Sequence, residues 1–281
     1  MSRLLLKYTH LILIPIILYA SFFLFQHFTS PFTRHSDLNS LIYVFHAKNL
    51  LRYPSSLHHY ANANIVTSNG ISSMLNYLPH DRITYYLDHS PLITYLAAFS
   101  FSLFGINEWA ARLVPIISSL ITLIVFYLLV KKVSNLSTAL LATFFLGSFP
   151  LFLQHGQILN FEPTTNLFIT LSLYFFFSHL CPNSSRTNII FGYIFFLLAQ
   201  LTDWPGSFLG ASLALLILTY KKSFSKALFP LLFSLIGPLM IFMWDQQAAP
   251  GFGPGFFRSV FGSYQHSLAV MISPGYTKPQ S

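Results

Sequence analysis

The chain has 281 residues, of which 54% are apolar, 17% aromatic and only 8% charged. A soluble domain carries charge on about a quarter of its residues, so this composition excludes a soluble globular protein, a disordered chain and a collagen-like chain. The net charge of +8 is typical of basic loops on the cytoplasmic side of a membrane, and we expect no nucleic-acid partner.

Apolar runs recur along the chain, and they are long enough to cross a hydrocarbon core of about 30 Å. The first run follows Arg3 and Lys7 and lacks a small-residue cleavage site, so we interpret it as a retained span and not as a signal peptide. The sequence predicts an all-α polytopic protein with a single transmembrane domain over 1–281. Its predicted spans are 8–28, 112–130, 138–154, 163–180, 188–202, 204–220 and 226–244.

Basic residues orient these spans. With the N-terminus in the cytoplasm, the short cytoplasmic segments hold eight basic residues and no acid, which is the positive-inside pattern. All seven acids then lie outside, so we expect an outward-facing function at the plasma membrane. The apolar segment 91–104 is short for a crossing. We place it as an interfacial helix, because counting it as a span would move Lys131 and Lys132 outside.

The predicted outer loop 29–111 is the longest polar segment and contains the first candidate residues. Leu38, Leu41, Ile42 and Phe45 have the spacing of one helical face, which predicts a helix on the membrane surface. Asp37 opens this helix, where the helix dipole favours a carboxylate. It is either a functional acid or an ordinary N-cap.

Two further candidates come late in this loop, just before the interfacial helix that Pro91 begins. These are Arg82 and His89, and taken alone their positions favour solvated loop residues over a site. The loop also contains several of the eleven histidines. They lack the ligand spacing of a known metal motif, so we expect no metal site, and no phosphate-binding loop is present to indicate a nucleotide cofactor.

Two acids follow in short outer connections. Glu162 precedes the Pro that begins a predicted span, and a carboxylate at membrane depth is either functional or placed to suit a helix N-terminus. Asp203 lies in the turn before Trp204, and we interpret it as a turn acid. The predicted outer segment 245–281 carries Arg258.

The order of these motifs resembles the GT-C membrane glycosyltransferases of families 39 and 83, which include protein O-mannosyltransferases and the lipid A aminoarabinose transferase. The resemblance covers about 8–245. It rests on Asp37 at a helix start, His89-Ser-Pro-Leu, Leu103-Phe-Gly-Ile-Asn-Glu-Trp-Ala-Ala-Arg112-Leu, and the stretch Gly156 to Pro163. Three positions depart from the family pattern: Leu38 follows Asp37 where an acid is usual, Glu162 replaces Asp, and Ser90 separates His89 from the Pro-Leu.

The resemblance implies a polyprenyl-phosphate sugar donor, a lipid, glycan or protein acceptor, contact with membrane lipids, and transfer outside with inversion. It assigns Asp37 as the catalytic base and Glu162 as an acid that orients the acceptor or shares the proton. Arg82, His89 and Arg258 would bind the donor phosphate. No cofactor is implied.

Two alternatives remain open from the residues. A secondary transporter would carry acids near mid-membrane in repeated halves, whereas here the acids lie at span ends. A truncated, non-catalytic membrane protein is the other, because relatives usually continue through further spans after the position of Ser281.

Overall fold

A computed structural model of the protein describes residues 9–32, 37–55, 60–65, 83–85, 89–181, 185–221 and 223–248. The candidates Arg82 and Arg258 lie outside these ranges. Within them the chain is helical except for short connections and one antiparallel pair of three-residue strands, in which Ala63 pairs with Tyr85.

The elements follow one another in a simple order. A 3-10 turn, Thr9–Ile12, leads into the first helix. The helices and strands are α1 (Leu13–Leu24), α2 (Leu38–Arg52), β1 (Ala63–Ile65), β2 (Ile83–Tyr85), α3 (Leu92–Phe104), α4 (Glu108–Val133), α5 (Leu136–Ser148), α6 (Pro150–His155), α7 (Phe161–Leu180), α8 (Arg186–Thr202), α9 (Pro205–Lys221), α10 (Phe224–Phe233) and α11 (Ile236–Ala248).

The longest helix, α4, has the end residues that helix electrostatics favour. Asn107 caps it by accepting a hydrogen bond from the Ala110 backbone N–H at 2.9 Å. Glu108 lies in the first turn, while Lys131 and Lys132 lie in the last, where they complement the helix dipole. At 26 residues the helix is about 39 Å long, which exceeds the thickness of a bilayer core.

Helices lie at all seven predicted spans, but two of the spans are interrupted. The third is divided at Phe149 into α5 and α6, and the seventh is divided between Phe233 and Ile236 into α10 and α11. Among the described helices, the stretches Glu108–Val133 and Phe224–Trp244 have the length and composition to cross a membrane. The crossings and their orientation stay predictions.

The α2 helix buries a different face from the one that its apolar periodicity indicates. Ser40, Tyr43 and His46 are buried, whereas Leu38 and Leu41 are about half exposed, at 56% and 45%. The small and polar side of the helix therefore packs against the protein. The apolar side is left outward, which is the arrangement expected if that side contacts lipid.

Small residues let the helices around the site approach closely. Ala47, Ala97 and Ala110 are fully buried in a cluster formed by α2, α3 and α4. At the end of α6, a Cβ on Gly156 would lie 2.8 Å from Ser119 Oγ and 2.9 Å from the Phe152 carbonyl oxygen. The chain after α6, the connector 156–160, is thereby held directly against α4.

Candidate active site

Asp37 lies at the start of α2 and forms an ion pair with Arg112 in the first half of α4. One carboxylate oxygen, Oδ1, is 3.5 Å from Arg112 Nη1, and the two side chains are only 4% and 3% exposed. The Asp37 side chain makes no capping hydrogen bond to the helix it precedes. Asp37 is thus the N-cap residue of α2 by position, but its carboxylate pairs with α4 and does not cap α2.

Arg112 is held in place by several further groups. It donates from Nη1 to the carbonyl oxygen of Gln157 at 3.2 Å and from Nη2 to that of Ser30 at 3.3 Å. Its guanidinium carbon also lies 4.5 Å from the centre of the Phe32 ring, a cation–π geometry. These contacts fix the planar guanidinium and, through it, the carboxylate of Asp37.

Both members of the ion pair line a cavity of about 720 Å³. This volume is within the range of small-molecule sites. The wall combines the polar groups of the pair with aromatic and aliphatic side chains. The lining residues are Tyr19, Phe23, Gln26, His27, Ser30, Pro31, Asp37, Arg112, Ser148, Pro150, Leu153, Gln154, Gln157 and Ile158.

The connector 156–160 joins this cavity to a second polar cluster. At its beginning, Gln157 accepts from Arg112, and the Leu159 backbone N–H donates to Ser40 Oγ at 3.0 Å. At its end, Asn160 is 97% buried, being 3% exposed, and its Oδ1 has no hydrogen-bond partner among the described residues. A buried unpaired carbonyl oxygen is costly, so this position suits a ligand hydroxyl.

The second cluster is centred on His89 and Asp203. His89 Nδ1 is 3.0 Å from Asp203 Oδ1, and the Asp203 side chain is 3% exposed. The His89 ring stacks on Phe161, with the ring centres 4.7 Å apart and the planes 23° apart. This pair brings the start of α3 to the end of α8, and it shows that Asp203 is more than the turn acid that the sequence indicates.

Glu162 lies at the start of α7, just before the predicted span, and faces His155 at 3.7 Å between Oε1 and Nδ1. Burial raises the pKa of Glu162 above its usual range, and the nearby Asp203 carboxylate raises it further. A hydrogen bond with the Glu162 backbone, His155 and His89 oppose the shift. Its second oxygen, Oε2, has no hydrogen-bond partner among the described residues. Such a carboxyl group is suited to exchanging a proton.

The structure divides the predicted site residues between these two places. Asp37 lines the cavity, while His89 and Glu162 belong to the second cluster. Sequence reasoning missed the roles of Arg112 and Asp203. An Arg at the start of a long apolar helix was a usable signal for the first, since such a cation requires a partner. In the described ranges no three His, Cys, Asp or Glu side chains are grouped to hold a metal.

Comparison with known proteins identifies relatives of this arrangement. A protein from Aquifex aeolicus (strain VF5), itself uncharacterized, is 29% identical over 214 residues, covering 70% of this chain and 47% of its own. A crystal structure of ArnT from Cupriavidus metallidurans bound to undecaprenyl phosphate superposes with a TM-score of 0.61 at 16% identity. That alignment covers 92% of this chain and 44% of ArnT, so the chain spans about half the length of both relatives.

Family assignment rests on the match of this chain to a family model. Residues 88–244, more than half of the chain, match the family described as dolichyl-phosphate-mannose-protein mannosyltransferase. This region contains His89, Arg112, Glu162 and Asp203, and it begins after Asp37. The chain is therefore a member of the dolichyl-phosphate-mannose-protein mannosyltransferase family, an integral membrane protein with the GT-C fold.

Proposed function

We propose that the protein is a glycosyltransferase that moves a sugar from a polyprenyl-phosphate donor to an acceptor hydroxyl on the outer face of the membrane. The observation that carries this proposal is the buried Asp37 carboxylate in the wall of a 720 Å³ cavity, in a chain of this family. The undecaprenyl phosphate bound in the ArnT structure supports a lipid-phosphate donor.

The reaction requires one proton acceptor and compensation of one new negative charge. The acceptor oxygen forms a bond to the anomeric carbon, and its proton passes to Asp37. The bond from the anomeric carbon to the phosphate oxygen breaks, and its electron pair stays on the polyprenyl phosphate. Direct displacement of this kind inverts the anomeric centre.

The other residues divide the remaining tasks. Arg112 holds the Asp37 carboxylate at the cavity wall. Glu162, with its unpaired oxygen, orients the acceptor or shares the proton, and the buried Asn160 oxygen accepts from a substrate hydroxyl. His89 meets the donor phosphate, together with the cations Arg82 and Arg258, through charge-assisted hydrogen bonds.

An outward site follows from the sorting of charges between the loops. In that topology α2, the connector 156–160 and the α8–α9 turn all lie at the outer end of the helices. The donor headgroup would bind there while its isoprenoid chain stays in the bilayer. A site on this side needs no nucleotide, because the energy of transfer is stored in the phosphate-linked sugar.

Sugar transfer by membranes containing the full-length protein tests this proposal. Radiolabelled polyprenyl-phosphate sugars are supplied, and the loss of label from the lipid is followed. We expect loss with the unmodified protein and a loss slower by about 10² to 10⁴ with Asp37→Asn. Glu108→Gln is a matched control, because it also converts an acid at a helix start to its amide, outside the cavity lining. Retention of label on every donor by the unmodified protein would refute the proposal.

A further inference from the structure

The pair of His89 and Asp203 is built as a fixed unit and not as a surface ion pair. Its members are 114 positions apart in sequence and 3.0 Å apart in space. Asp203 is 3% exposed and His89 is 23% exposed. The carboxylate is thus buried in the protein, whereas part of the imidazole is exposed.

The turn after α8 fixes the carboxylate. The Asp203 backbone N–H donates to the Ala199 carbonyl at 3.1 Å, and its own carbonyl accepts from Gly206 at 3.0 Å. Gly206 packs so closely on α8 that a Cβ would collide with the backbone of Ala199 and Gln200. The position of the turn on α8 is therefore fixed, and the position of Asp203 is fixed with it.

The imidazole is fixed from the other side. Phe161 stacks against the ring at 4.7 Å, and the His89 carbonyl accepts from Asn62 Nδ2 at 3.3 Å. The hydroxyl of the next residue, Ser90, donates to the Leu201 carbonyl. The chain around His89 is thus tied directly to the last turn of α8, two residues before Asp203.

We propose that Asp203 is a positioning residue that acts through His89. Its carboxylate accepts a hydrogen bond from the Nδ1–H of His89, which fixes the orientation of the ring and directs the Nε2 edge toward the donor phosphate. This inference rests on the proposed function. The inference adds to the proposed mechanism a carboxylate that never touches substrate. Its role is to orient the His89 ring.

The chemistry explains why an acid serves here in a site that binds an anion. When the sugar leaves, the phosphate changes from a diester with one negative charge to a monoester that carries one more. With protons on both nitrogens, the ring donates from Nδ1 to the carboxylate and from Nε2 to that phosphate, and the carboxylate compensates the positive charge of the ring. Among the described residues, Glu162 also faces this cluster, and His155 lies beside Glu162.

A simple tie between α3 and α8 is the competing interpretation. The effect of Asp203→Asn on kcat separates the two, and a double-mutant cycle tests whether that effect passes through His89. Sugar transfer is measured for the unmodified full-length protein, His89→Gln, Asp203→Asn and the double variant. We expect Asp203→Asn to lower kcat by about 10 to 100-fold with an unchanged KM for the acceptor. If Asp203 acts through His89, the double variant loses no more than His89→Gln alone. Losses that multiply, or a kcat within twofold of the unmodified value in Asp203→Asn, overturn the inference.

Nitrogen NMR of histidine-labelled protein in nanodiscs gives a readout that does not depend on activity. The His89 signals are those that disappear in His89→Gln. We expect Nδ1 to carry its proton near neutral pH in the unmodified protein, and an unprotonated Nδ1 overturns the inference even if Asp203→Asn fails to fold. Absence of transfer by the unmodified protein refutes the proposed function instead, whereas normal transfer with an independent Asp203 refutes only the positioning role.

Discussion

Asp37→Asn is the most informative single change, because the ion pair with Arg112 lets us predict its effect on both stability and sugar transfer. The oxygen and nitrogen are 3.5 Å apart, and both side chains are at least 96% buried, being 4% and 3% exposed. At an effective dielectric constant of about 20, the attraction over this distance is about 5 kcal/mol. Removing one partner of a buried pair costs roughly 3–5 kcal/mol of stability, because the other charge is left uncompensated.

Loss of transfer in this variant therefore has two possible causes, and a second variant separates them. Asp37→Asn/Arg112→Gln removes both charges, while Gln keeps a polar amide at this position. Removing both partners is far less destabilising than removing one. We expect the double variant to recover much of the lost unfolding temperature and yet to transfer sugar 10² to 10⁴ times more slowly than the unmodified protein, which is about what a lost general base costs.

The assay combines thermal unfolding of the purified full-length protein with sugar transfer per folded molecule. Glu108→Gln accompanies both measurements as the control for an acid-to-amide change at a helix start. If the double variant regains its stability and retains more than about a tenth of the unmodified turnover, well above the range for a missing base, Asp37 is a structural partner of Arg112 and the base lies elsewhere.

Three other changes test the topology, the site and the packing. A membrane-impermeant maleimide should label the exposed Cys181 only after permeabilisation, and ready labelling of intact cells would invert the predicted orientation. Asp37→Cys/Glu162→Cys, in a protein with Cys181→Ser, should crosslink with a thiol reagent of up to roughly 10 Å, comparable to the width of a small-molecule pocket. If no spacer of this length or shorter gives a crosslinked product, the two acids do not belong to one site. Gly206→Ala should lower stability by about 1–3 kcal/mol, since the new Cβ collides with backbone, whereas Gly147→Ala, whose nearest contact would be 3.5 Å, should not. Equal stability of the two Ala variants would contradict the packing argument.

The helices were predictable where local rules decide them. The apolar runs and the end residues of α4 are local properties, and they locate a helix at every predicted span. The breaks at Phe149 and between Phe233 and Ile236 were missed because the apolar runs continue across both, although Pro150, directly after Phe149, was a usable local signal for the first break. A long apolar run reports that residues avoid water, but it does not report where the backbone bends.

The site was predictable only in part, for a similar reason. Asp37 and Glu162 stood out because each is an acid at the edge of an apolar run. Asp203 did not, because its turn already provides an ordinary local explanation for an acid. Its burial depends on His89, which reaches it from a distant segment, and single-sequence spacing contains no information on that contact.

The many attachments of Arg112 have a consequence for how the protein matures during synthesis. The ribosome delivers Ser30 and Asp37 first, then Arg112, and Gln157 only 45 positions later. Asp203, the partner of His89, is synthesised 114 positions after it. The His89 ring thus leaves the translocon well before Asp203, and the two cannot pair until the whole of α8 has emerged. The proposed catalytic centre is therefore completed late in biogenesis, and a nascent chain halted before α8 exposes polar groups that are buried in the folded protein.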